Sequence, residues 1–291
     1  MAVFSNRATL SYNGITTDSN TVTGEIVQLV SADKEALSST YRTGDVITYV
    51  VSIVNGGSVT YPTLTVSDDL GAFSFGTQTL VPLNYVEGSA RYYANGVLQP
   101  APTAAPGAPL VFSGITLPAN GNAILIYQAT VNAFAPLGAG ASVVNTATVA
   151  NTGAEAPAAC PLTPISVSAT VTAADGALLS IAKALSPTTV TECGEITYTF
   201  TISNQGNTPA IATDNVVLSD TFNPPLSDVA VRLDGVLLSE GVDYTYNEGT
   251  GIFSTTPGRI TVPAATYTQD PVTGERTVTP GVTTLTVVGI I

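Results

Sequence analysis

One ordered set of residues occurs twice in this chain, and it leaves few folds open. Lys34 precedes the Tyr49 of ITYVVSIVNGG by fifteen residues, and Lys183 precedes the Tyr198 of ITYTFTISNQG by the same interval. Asn55 and Asn204 close these runs, each with a Gly two residues on, a composition that predicts hairpin turns. Then VSDDL (66–70) matches LSDTF (218–222), ANGVL (94–98) matches LDGVL (233–237), and ITLPA (115–119) matches ITVPA (260–264). A repeat of about 140–150 residues is too long for a solenoid unit and predicts tandem domains.

Within each copy the apolar residues alternate with polar ones over short runs, broken by Gly, Pro and Asn. Val, Thr and Ala are abundant and only 10% of the residues are charged. The expected fold class is all-β: two tandem immunoglobulin-like antiparallel β-sandwich domains. The expected boundaries are a strand at 1–14, a linker at 15–27, a first sandwich at 28–153, a linker at 154–170 and a second sandwich at 171–291.

The leading strand follows from a second internal match. FSNRATL (4–10) parallels VVNTATV (143–149): Asn6 matches Asn145, Ala8 matches Ala147, and Leu10 stands where Val149 stands. Phe4, Asn6, Ala8 and Leu10 share one face of an extended strand. The first copy closes with its own VVNTATV, whereas the second reaches Leu285–Ile291 with no counterpart of it. The chain therefore carries one closing strand ahead of the first domain and lacks one in the second. The second sandwich is expected to expose an apolar groove, to be filled by a neighbour's N-terminal donor strand, with residues 15–27 as the connector.

Composition excludes several functions. The net charge is −13, with 21 acidic residues against 8 basic and no basic stripe, so neither nucleic acid nor an anionic membrane surface is an expected partner. There is no His, which removes imidazole metal sites and His-based acid–base catalysis. No cofactor or metal is expected. No apolar run of about 20 residues is present to span a membrane. Cys160 and Cys193 allow one bridge, which would close a loop of about 33 residues and add roughly 3–4 kcal/mol, or two free thiols.

Three polar residue types point inward. Lys34 lies between Ala32 and Ala36, Lys183 between Ile181 and Leu185. Asp68 lies between Val66 and Leu70, Asp220 between Leu218 and Phe222, and Asn145 between Val143 and Ala147. Burying an unpaired charge costs several kcal/mol, so such a set needs a reason. One is an ion pair hydrogen-bonded to the Asn. Another is chemical: apolar burial favours a neutral amine beside a neutral acid, and a neutral lysine amine can attack an Asn side-chain amide. The products are a Lys–Asn isopeptide bond and ammonia, with the Asp relaying protons. Asp69 alternates outward and is expected to be dispensable.

The order Lys, GDVITY or GEITY, Asn-ended strand, SDDL or SDTF, NTATV resembles the tandem repeats called "domain of unknown function eleven", found in bacterial surface proteins, mostly Gram-positive. These are similar to isopeptide-forming domains of pilins and fimbrial adhesins. The resemblance covers nearly all of both copies. It implies Lys34, Asp68 and Asn145 as one triad. Lys183 and Asp220 are left without an Asn unless a neighbour's Asn6 supplies it. The function expected is a structural subunit of an extracellular fibre on a cell or spore surface. It would be a homopolymer assembled head to tail, with no enzymatic turnover beyond its own bond formation. The start at Met1 favours that reading. The alternative is an adhesin fragment of a longer array, meeting host surface or matrix ligands, with Tyr92, Tyr93, Tyr244 and Tyr246 as candidates for a glycan-binding face.

Overall fold

The computed structural model describes residues 2–151 and 162–291, with the backbone alone at Ala2. It is all-β. Among the described residues the one helical turn is the 3-10 segment Ala212–Asp214. In Val46–Asn55 the period of two is realised directly: Ile47, Tyr49, Val51 and Ile53 are buried and alternate with more exposed neighbours. This strand pairs antiparallel with Gly121–Val131 on one side and with Val30–Ala36 on the other. The facing sheet runs Thr103–Ala105, Leu110–Leu117, Tyr61–Asp68, Ser142–Asn151, Ile165–Ala173 and Thr40–Tyr41, the last pairing parallel. Leu64, Val66, Phe112, Ile115 and Tyr127 fill the space between the sheets without solvent exposure. Each such apolar side chain stabilises the fold by about 1.5–3 kcal/mol relative to an exposed one.

The second domain repeats one sheet and part of the other. Its complete sheet runs Leu179–Ser186, Glu195–Asn204, Gly281–Ile290, Ser227–Leu233 and Val236–Leu237. Its facing sheet holds only Ser219–Thr221, Ile252–Thr255 and Tyr244–Asn247, with Ser219–Thr221 at an edge. In the first domain the equivalent edge, Tyr61–Asp68, is paired by Ser142–Asn151. No described strand does this in the second.

Three expectations are corrected. The Asn55 and Asn204 turns are not hairpins but arches from one sheet to the other. Asn55 donates to Val59 O and Pro118 O and accepts from Gly57 N; Asn204 donates to Thr208 O and Pro263 O and accepts from Gly206 N. Both amides are buried, and their polar groups are satisfied by the loops they hold.

The linker expected at 154–170 is in part a strand. Residues 154–161 lie outside the described residues, but Ile165–Ala173 pairs antiparallel with Ser142–Asn151 and completes the first domain. Its alternation is the reason: Ala169, Val171 and Ala173 are buried, and Thr170 and Thr172 between them face out.

The linker expected at 15–27 is likewise strand. Ala2–Asn6 pairs with Val22–Ile26, and Thr9–Tyr12 with Ile15–Asp18. Asn13 and Gly14 have φ 48° and 78°, the left-handed pair of a two-residue turn that folds the chain straight back. The leader is therefore a long hairpin.

Candidate functional site

The first-domain site is assembled from four strands. Lys34 comes from the edge strand Val30–Ala36, and Asp68 ends Tyr61–Asp68. Asn145 comes from Ser142–Asn151, two residues before the Ala147 that sits opposite Asp68. Lys34 Nζ donates to Asp68 Oδ2 at 2.6 Å, and both side chains are fully buried. Burial pulls the Lys34 amine below its usual pKa, and the Asp68 charge only partly offsets this. The amine lies 4.9 Å from the Tyr49 ring centre. Asp68 Oδ1 accepts from Leu70 N at 2.9 Å.

The fourth member was not singled out in the sequence. The Tyr127 hydroxyl donates a short hydrogen bond to Asp68 Oδ2, and Asn145 Nδ2 donates to that hydroxyl at 3.4 Å. Lys34, Asp68, Tyr127 and Asn145 form one buried chain of polar contacts. Tyr127 stacks on Tyr49, 5.6 Å between ring centres, and burial raises its pKa well above 10.0. Asn145 Oδ1 and the Tyr49 hydroxyl are buried without a hydrogen-bond partner among the described residues. The register could have pointed to Tyr127, because it lies directly across from Tyr49. A search for residues shared by both copies passes over it, since Tyr198 faces Val287 at the matching place.

Asp69 is not an idle outward acid. Its Oδ1 accepts from Gly71 N and Thr146 N, both at 2.8 Å, and its own N–H donates to Thr146 O at 2.9 Å. It holds the residue next to Asn145 in register. Alternation sends its side chain out of the core, where the neighbouring strand meets it.

In the second domain Lys183 Nζ makes a short ion pair with Asp220 Oδ2, but the side chains are 41% and 20% exposed. The amine lies over three rings: Tyr198 at 4.7 Å, Phe200 at 5.3 Å and Phe222 at 5.4 Å. No asparagine reaches this pair among the described residues. The strand carrying Lys183 lies open, with Leu179 38%, Ile181 60% and Leu185 43% exposed. The matching Val30 and Lys34 are 4% and 3% exposed.

Asn6 is exposed on the leader hairpin, as are Phe4 and Leu10, at 54% and 62%. Ala8 is also exposed, and its N–H is bonded to Ser19 Oγ within the hairpin. Cys193 is exposed, while Cys160 lies outside the described residues, and with it the candidate bridge. The tyrosines considered for glycan binding form no exposed face, because Tyr92 and Tyr244 are buried. The Tyr92 hydroxyl donates to Thr116 O, and the Tyr246 hydroxyl donates to Leu226 O.

No family model matches the chain, so none stands behind the resemblance to the tandem surface repeats, and no curated protein matches it either. Solved structures that align with it include BcpA, the major pilin subunit of Bacillus cereus, at 12% identity and TM-score 0.35, covering 97% of this chain and 73% of that one. The pilus backbone RrgB of Streptococcus pneumoniae aligns at 12% identity and TM-score 0.32, covering 86% of this chain and 55% of that one. AvmM, which catalyses macrocyclization in alchivemycin A biosynthesis, aligns at 12% identity and TM-score 0.30, covering 59% of this chain and 98% of that one. The chain spans about half the length of RrgB. At these scores the likeness bears on neither activity nor assembly. Among the described residues no helix is long and apolar enough to cross a membrane.

Proposed function

We propose that this chain is a structural subunit of an extracellular bacterial fibre, joined head to tail by strand donation and locked by Lys–Asn isopeptide bonds. The observation that carries this reading is an asymmetry. One Lys–Asp pair is buried with an Asn, its twin is partly exposed with none among the described residues, and a spare Asn stands exposed on a strand of matching sequence.

In the first domain the neutral Lys34 amine attacks Asn145 Cγ. The Cγ–Nδ2 bond breaks, ammonia leaves with the proton relayed through Asp68, and an amide joins the sheets. Low effective polarity and fixed geometry favour the step. In the second domain Lys183 and Asp220 await Asn6 of another copy. Burying Phe4 and Leu10 contributes about 1.5–3 kcal/mol each, while association costs on the order of 4–15 kcal/mol, so insertion alone favours reversible threads. A covalent bond makes them permanent. The only chemistry is this single self-directed turnover; no external substrate is processed.

Electron microscopy combined with denaturing gels tests the reading. Purified protein should form threads whose ladders survive hot detergent. Asn6→Ala should still form threads, but ones that dissolve to monomers in detergent. Monomers from the unaltered chain under both conditions would refute it.

A further inference from the structure

The hairpin form of the leader changes what a donor would be. We propose that the second domain's groove takes both strands of the Ala2–Ile26 hairpin of a second copy, so that Val22–Ile26 does there what Ile165–Ala173 does in the first domain. This rests on the head-to-tail reading above and specifies its interface.

The first domain already holds such a pair in place. In it Asn145 lies opposite Ala169, and Val143 opposite Val171. In the leader Asn6 lies opposite Val22, and Phe4 opposite Gly24. Aligning Asn6 with Asn145 therefore aligns Val22 with Ala169, Gly24 with Val171 and Ile26 with Ala173. Ala169, Val171 and Ala173 are buried, whereas Val22 and Ile26 are 56% and 57% exposed. Phe4, Val22 and Ile26 make the entering face apolar around Asn6, and Leu179, Ile181 and Leu185 make the groove floor apolar around Lys183, which holds Asp220. Asn6 would meet that pair.

The two leader strands are also shaped as a unit. The Phe4 ring lies over Gly24, where an added Cβ would stand 2.5 Å from Phe4 Cζ. The first domain places Val against Val at this point, and the leader places Phe against Gly. One large and one absent side chain fill the space of two medium ones, which works only if the strands remain paired.

The connection to the next domain agrees. Ala173 runs into Leu178, whose carbonyl accepts from Gln205 N in the second domain. Ile26 runs into Leu29, whose carbonyl accepts from Gly56 N in the first. With the hairpin seated, the joint between molecules resembles the joint within one, with two residues (27–28) in place of four (174–177) before the shared contact. Every domain in the thread is then completed by two strands that lead directly into the next domain.

Inward and outward substitutions on Val22–Ile26 test this in the full chain. Val22→Asp and Ile26→Asp would each place a carboxylate in the groove and should cut the polymerised fraction about tenfold or more. Thr23→Asp, across from Ser5 on the other face, should leave it unchanged. Loss of ammonia from the first domain, read by intact mass, should be unaltered in all three, which shows that the subunit still folds. Wild-type polymerisation of Val22→Asp and Ile26→Asp would overturn the two-strand donor while leaving a single-strand donor standing. Polymerisation of a chain lacking residues 2–27 would overturn the head-to-tail reading itself.

Discussion

The two domains carry the same Lys–Asp pair in opposite states. Lys34 and Asp68 are sealed, joined by Tyr127 and faced by Asn145. Lys183 and Asp220 are partly wet, and among the described residues no tyrosine hydroxyl is bonded to Asp220 and no asparagine reaches the pair. What separates them is a pair of strands, 142–151 and 165–173, that cover the first site. The lesson is that the pair itself does not create a dry environment. The covering strands do, because they exclude water, and they bring Asn145 to the site.

The largest effect that would break this contrast comes from Asp68. Asp68→Ala leaves the buried Lys34 uncompensated and should cost about 3–5 kcal/mol in the first domain, besides abolishing ammonia loss. Asp220→Ala removes an ion pair with a 41%-exposed lysine and should cost only about 0–1 kcal/mol. Urea unfolding followed domain by domain, with intact mass, measures both. Equal costs at the two sites would show that burial is not what distinguishes them.

Asp69→Ala should come next, at about 1–3 kcal/mol, because Thr146 N and Gly71 N lose their acceptor. Ammonia loss should slow as Asn145 drifts from register. An unchanged rate would mean that the strand is held without Asp69.

Tyr127→Phe should cost about 1–3 kcal/mol by removing the hydroxyl bonded to Asp68 and Asn145. Tyr127→Val copies the second domain's Val287 into the first. If bond formation proceeds normally in Tyr127→Val, the phenol has no part in it, and its absence from the second site carries no consequence. A slower reaction would make Tyr127 the group that sets the pace of the two sites apart.

The smallest expected effect is on pH dependence. In the proposed reaction the neutral amine is the nucleophile, and burial lowers the pKa of Lys34 from 10.5. In freshly folded protein the rate of ammonia loss should therefore rise with pH and level off below 10.5. Continued rise beyond that value would show an amine that water still reaches.

Much of this was legible in the residues. The repeat placed two domains, and a period of two put Lys34, Asp68 and Asn145 on core faces, because successive side chains of a strand alternate whatever the strand pairs with. The leader's likeness to VVNTATV matched Asn6 to Asn145 in sequence. The strand at 165–173 was also there to be seen in its alternation, but the Ala/Pro-rich stretch before it suggested a connector throughout.

Pairing partners were not legible, because alternation states which way a side chain points and not which strand lies beside it. The tertiary structure decided that Ile165–Ala173 completes the first domain, that residues 15–26 fold back on the leader, and that Asn55 and Asn204 brace arches between sheets. It also brought Tyr127 to Asp68 and Thr146 to Asp69, contacts between residues 59 and 77 positions apart in the chain. Such contacts depend on sheet order and register, which are settled only when both sheets close over a common core.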